Sequence, residues 1–90
     1  MATVSLFTSN RQTLAPGQER EFLEGSPGFV TEGTFHMVSI CCRALLGEGV
    51  TLVGTSVRTD ASATPRQFYT VRNPTNQVVQ FTRATVRITP

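Results

Sequence analysis

The amino-acid sequence predicts an all-β domain, a small antiparallel β-sandwich or barrel-like fold of about six to eight strands. Three observations carry that prediction. Val, Thr, Phe and Ile recur in short runs, and Gly, Pro and Asn punctuate the runs. No window shows the i, i+3, i+4, i+7 apolar stripe of an amphipathic helix. Six or so such runs joined by short turns are the pattern of a sandwich or small barrel. Ninety residues make one domain spanning 1–90, and a chain of that size buries only about 60 to 65% of its unfolded surface, so one small core is expected.

The first run, "TVSLF" from Thr3 to Phe7, places Val4 and Leu6 on one face. In "QTLAPGQEREFL" the pair Pro16-Gly17 supplies the fixed φ and the free φ of a type II turn, between strand ends at Leu14 and at Arg20 to Leu23. "EGSPGFVTEGT" reads as a loop with Phe29 and Val30 tucked inward. Next comes "HMVSICCRALL", residues 36 to 46, whose even positions from His36 through Val38, Ile40 and Cys42 form the core face. Its odd face is half apolar, as in a central strand covered on both sides. In "VTLVGTSVR" Val50 and Leu52 oppose Val53 and Val57 in parity, so either both faces are apolar or Gly54 marks a bulge. "TDASATP" is a polar loop. "QFYTVR", the turn "NPTN" and "QVVQFTRATVRI" read as a closing hairpin. Within its last strand the apolar parity flips between Phe81 and Ala84, which predicts a bulge near Thr82 and Arg83 or a change of partners there.

Chemistry is sparse. The chain holds one histidine and two cysteines, all within residues 36 to 42. On one extended strand His36 and Cys42 stand roughly 20 Å apart at 3.3 Å per residue, too far for a thiol-imidazole pair. Adjacent cysteines without further ligands do not make a zinc site, and a disulfide between neighbours closes a strained ring. Cys42 therefore reads as a buried small hydrophobe, Cys41 as a group lining an interface and His36 as a residue at a solvent or subunit edge. Glu19 and Glu21 share a strand face but have Phe22 and Leu23 beside them, so a charged strand edge is preferred to a carboxylate pair. No phosphate loop, nucleophile elbow or metal loop occurs. The expectation is no enzyme activity, with no catalytic, metal or cofactor-binding residues and no cofactor.

The N-terminus lacks a basic start and a cleavage site, and nowhere do about 18 apolar residues follow one another, so neither ordinary secretion nor a membrane span is expected. "NPT" at Asn73 is no glycosylation acceptor because Pro74 is its central residue. The net charge is +2, every basic residue is Arg, and there are fourteen threonines. Arg is enriched and Lys depleted at interfaces, so this surface suits a crowded assembly. Arg66, Arg72, Arg83 and Arg87 interleave with Phe68, Tyr69 and Phe81, as in sheets that stack bases, yet the charge falls far below a nucleic-acid footprint. Nucleic acid is therefore an unlikely partner. The residues expected to form an interface are Met37, Cys41, Arg66, Arg72 and Arg83. A lone sandwich covers only one face of each sheet, so a homo-oligomer is expected, with a trimer favoured.

The "MATVSLF" start, the "LAPGQEREF" turn, the "ICCRALLGEGVTLVG" strand pair and the "YTVRNPTNQVVQFTRATVRITP" hairpin together resemble the small β-sandwich structural proteins of tailed bacteriophages, in particular capsid decoration or cement proteins. That resemblance implies a virion protein, assembled in the host cytoplasm, that binds the major capsid protein on the shell exterior. It would stabilise the shell against internal pressure, often as a trimer. A tail, baseplate or fibre component and a β-sheet nucleic-acid-binding module are the alternatives.

Overall fold

The computed structural model describes residues 2–25, 28–31, 33–42 and 49–90, and of Cys41 and Cys42 the backbone alone. Seven strands and no helix occur among these residues: β1 Thr3–Thr8, β2 Gln12–Leu14, β3 Glu19–Glu24, β4 Phe35–Cys42, β5 Thr51–Thr59, β6 Pro65–Arg72 and β7 Val79–Thr89. They form two antiparallel sheets packed together, a small β-sandwich. In sheet A, β7 is central. It pairs with β4 on one side and with β1 and β2, end to end, on the other, since Phe81 is opposite both Gln12 and Cys42 and Ala84 opposite both Thr8 and Ser39. In sheet B, β6 lies between β3 and β5.

Chain neighbours are mostly not sheet neighbours. The turn after Leu14 has its expected form, with Gly17 at φ 71° and the Gln18 amide donating to the Ala15 carbonyl at 3.0 Å, but it carries the chain from sheet A to sheet B. The segments read as a closing hairpin likewise belong to different sheets, β6 to B and β7 to A, as do β4 and β5. Among the described strands β5 and β6 form the one hairpin between consecutive elements, closed by Asp60, whose Oδ1 accepts from the Ser62 and Thr64 amides. Among the described strands β4 pairs with β7 alone, so it lies at an edge of the sheet and not at its centre.

Asn73 explains why the "NPTN" turn crosses between layers instead of folding back. Its side chain is fully buried; its Nδ2 donates to the carbonyls of Leu14, Ala15 and Gln77, and its Oδ1 accepts from the Thr75 amide and hydroxyl. One amide thereby satisfies five groups of two neighbouring turns, at a place where bare carbonyls would lack water.

The core lies at one end of the sandwich. Leu14, Tyr69, Val71 and Phe81 are buried there, with Phe22, Val38, Ile40, Val50 and Leu52 packed against them. Phe22 stacks on Tyr69 within sheet B at 5.2 Å and meets Phe81 of sheet A edge-on at 5.6 Å. The even positions of β4 described with side chains, His36, Val38 and Ile40, face inward as expected, whereas the odd ones, Phe35, Met37 and Ser39, are exposed and not covered as on a central strand. The bulge beside Gly54 is also present: Leu52 opposes Val71 and Gly54 opposes Thr70, leaving Val53 as the extra residue. The burial expected for Cys42 falls on a side chain outside the described residues.

Of the two outcomes expected at Thr82 and Arg83, the bulge within β7 is absent and the change of partners is present: on one side β7 passes from β1, ending at Ala84, to β2, starting at Phe81. β7 pairs with β4 without interruption from Phe81 to Ile88. The irregularity lies opposite Thr82 and Arg83, in the neighbouring strand, where four steps from Thr8 to Gln12 match three from Ala84 to Phe81. Ser9 spans the break, its amide donating to the Arg83 carbonyl and its hydroxyl accepting from the Arg83 amide. Because β7 stays regular, its alternation holds and its composition inverts. Val79, Phe81, Arg83 and Thr85 are buried, while Ala84, Val86 and Ile88 are turned to the other face.

Candidate functional site

Residues directly opposed in an antiparallel pair share a face, so the register maps the outer side of sheet A. Val4, Ile88 and Phe35 make one row across β1, β7 and β4, and Leu6, Val86 and Met37 make the next. Val4, Leu6, Phe35 and Met37 are 67, 68, 65 and 64% exposed, and Val86 and Ile88 are half-buried between them. A third row, Thr8, Ala84 and Ser39, is small and neutral. No charged side chain occurs in these three rows.

The inner side of the same strands is polar. Ser5, Arg87 and His36 form one row, and Arg83 stands beside Ile40 in another. Arg83 forms an ion pair with Glu24 of sheet B, whose carboxylate also accepts from the Thr85 hydroxyl, and all three residues are buried. Glu24 Oε2 and Arg83 Nε have no hydrogen-bond partner among the described residues. Next to this cluster Phe29 lies between Phe7, edge-on at 5.0 Å, and His36, stacked at 4.7 Å, with the Arg87 guanidinium 5.3 Å from its ring. Gly25 permits the loop that brings Phe29 in: its φ is 75°, and a Cβ there would meet the Phe29 ring at 2.5 Å. His36 is not at a solvent edge. Burial pushes its pKa below the ordinary imidazole value, the Glu24 charge opposes that shift, and Arg87 adds to it.

The outer side of sheet B is charged and engaged. Arg58 of β5 reaches across β6 to form an ion pair with Glu21 of β3, its guanidinium 3.8 Å above the Phe68 ring. Glu21 is therefore one half of a salt bridge, and the hydrogen bond from Arg58 lowers its pKa. The residues expected to make an interface do not come together. Met37 lies on the outer face of sheet A, and the Cys41 side chain lies outside the described residues. Arg72 is exposed at the end of β6 in sheet B. Arg66 is mostly covered and holds two loops, bonding Asp60 at 3.4 Å and the Gly25 carbonyl at 2.8 Å. Arg83 is inside the sandwich because Glu24 compensates its charge there. Arg83 and Arg87 do share a face, as their parity predicts, but it is the inner one.

Sequence reasoning missed Val4, Leu6 and Phe35 as surface residues. The available signal was the parity flip at Thr82 and Arg83, which marks an apolar set on the far side of β7. Among the described residues no group of three or more His, Cys, Asp or Glu side chains is placed to hold a metal ion. Comparison of the chain with protein-family models, curated proteins and solved structures finds no match.

Proposed function

We propose that the protein is a non-enzymatic structural protein of a virus particle, a decoration or cement protein that self-associates, binds the exterior of the capsid and stabilises the shell. The observation that carries this reading is the uncharged apolar outer face of sheet A, four of whose side chains are about two-thirds exposed. Single exposed apolar residues are ordinary, but a contiguous set rimmed by polar groups marks a contact surface. The use of charge supports the same reading, since the ion pairs Arg83–Glu24, Arg66–Asp60 and Arg58–Glu21 join strands and loops of the sandwich itself. The Lys-free, Thr-rich composition and the resemblance to phage decoration proteins agree with it.

Electron microscopy of particles assembled with and without the protein tests the proposal. Loss of external density over the capsid lattice, with particles that burst at lower temperature, is the expected result. Density lost at the tail would transfer the protein to a tail or fibre role, and salt-sensitive binding to single-stranded oligonucleotides would replace both.

A further inference from the structure

We infer that the outer face of sheet A is a self-association surface: two copies pack these faces together across a two-fold axis, giving a dimer in place of the trimer expected from sequence. The first argument is area. Four side chains of roughly 200 Å² each, two-thirds exposed, present on the order of 500 Å² of apolar surface, at the upper end of what a monomer leaves bare. A stable interface needs about 800 Å² per partner, and the neutral rim of Thr8, Ala84 and Ser39 with the half-buried Val86 and Ile88 extends the patch toward that size.

The second argument is charge. The sandwich has two outer faces, hence three ways for copies to stack. Packing sheet A on sheet B sets Glu19, Arg72 and the Arg58–Glu21 pair against an apolar surface, and packing sheet B on sheet B doubles the number of charges buried; desolvating charges is costly even when they are paired. Only sheet A on sheet A buries apolar and neutral groups alone. A two-fold axis closes that contact at two copies, because each copy uses the same patch. Two twisted sheets laid face to face cross at about 30°, the arrangement by which sheets pack within a sandwich.

Sedimentation equilibrium of the free protein at tens of micromolar tests the inference without any particle present. The expected mass is that of a dimer. Leu6→Glu and Met37→Glu should each weaken association by roughly 100-fold or more, with an unchanged circular dichroism spectrum. Arg58→Ala on sheet B should leave the dimer intact. A wild-type trimer, or a dimer indifferent to both glutamates, would overturn the inference. So would a monomer that binds a hydrophobic dye in a manner abolished by Met37→Glu, which would assign the face to an unlike partner. The inference stands apart from the capsid reading: a dimer that ignores capsids sinks that reading alone, and a monomer that decorates them sinks this one alone.

Discussion

From Val79 to Phe81, β7 buries its apolar side chains and turns Gln80 to water; from Arg83 to Thr85 it buries an arginine and a threonine and turns Ala84 outward, followed on that outer face by Val86 and Ile88. The two ends of the sandwich are thus held by different forces. The end around Phe81 rests on burial of Leu14, Tyr69, Val71 and Phe81, with Asn73 satisfying the turns that cap it. The end around Arg83 rests on an ion pair taken out of water, where the desolvation of both charges offsets much of their attraction. An ordinary interior would spend the apolar residues of β7 inside. Placing them outside leaves an exposed apolar face on the same end of the sandwich.

The comparison breaks most visibly at its two centres. Phe81→Ala should cost about 3–5 kcal/mol by loss of transfer energy and creation of a cavity. Glu24→Ala should cost about 3–5 kcal/mol for another reason, the stranding of a buried guanidinium. Urea denaturation measures both, and only the second cost should shrink when Thr85 is also truncated, because water then reaches the stranded guanidinium.

Two leucines on the same edge of sheet A separate inside from outside. Leu14 is fully buried and Leu6 is 68% exposed, so Leu14→Ala should lower stability by about 2–5 kcal/mol. Leu6→Ala, measured in protein dilute enough to be monomeric, should change it by less than about 0.5 kcal/mol. Asn73→Ala removes the amide shared by two turns and should cost about 2–3 kcal/mol, since several buried carbonyls and an amide lose their partner.

Between pH 5 and 7 acid should act through His36, on the polar inner side of sheet A. The folded-state pKa of His36 is lowered from 6.5, chiefly by burial, so below about pH 6.5 the unfolded chain binds a proton that the folded chain refuses. Stability then rises with pH up to about 6.5 and is level above it. Glu21 and Asp60, whose pKa values are lowered from 4.5 and 3.8, contribute stability that is lost only as pH falls through the carboxylate range. Denaturation midpoints between pH 5 and 7 should therefore slope in the wild type and lose that slope in His36→Phe.

Much of this was legible in the sequence because it is local. The Pro16-Gly17 turn, the even inner face of β4 and the bulge before Gly54 each follow from a few adjacent residues. Strand pairing was not legible, because a turn such as "NPTN" looks the same whether it closes a hairpin or crosses between layers; the deciding bonds from Asn73 go to Leu14 and Ala15, nearly sixty positions away. The parity flip in β7 marks the change of partners at Thr82 and Arg83, but not the inversion of inside and outside that accompanies it. Alternation tells which residues share a face but not which face is inside. Arg83 points inward only because Glu24, on a strand read from its own residues as a charged edge, meets it across the sandwich.

A double-mutant cycle on Glu24 and Arg83 tests that inversion directly. With Arg83 inside and paired, Glu24→Leu and Arg83→Met should each destabilise strongly, and together they should restore stability to near or above the wild type. The coupling would then be at least about 1.5 kcal/mol. Additive effects, with coupling within about 0.5 kcal/mol, would mean that Arg83 lies outside, that β7 does bulge at Thr82 and Arg83, and that Ala84, Val86 and Ile88 belong to the core.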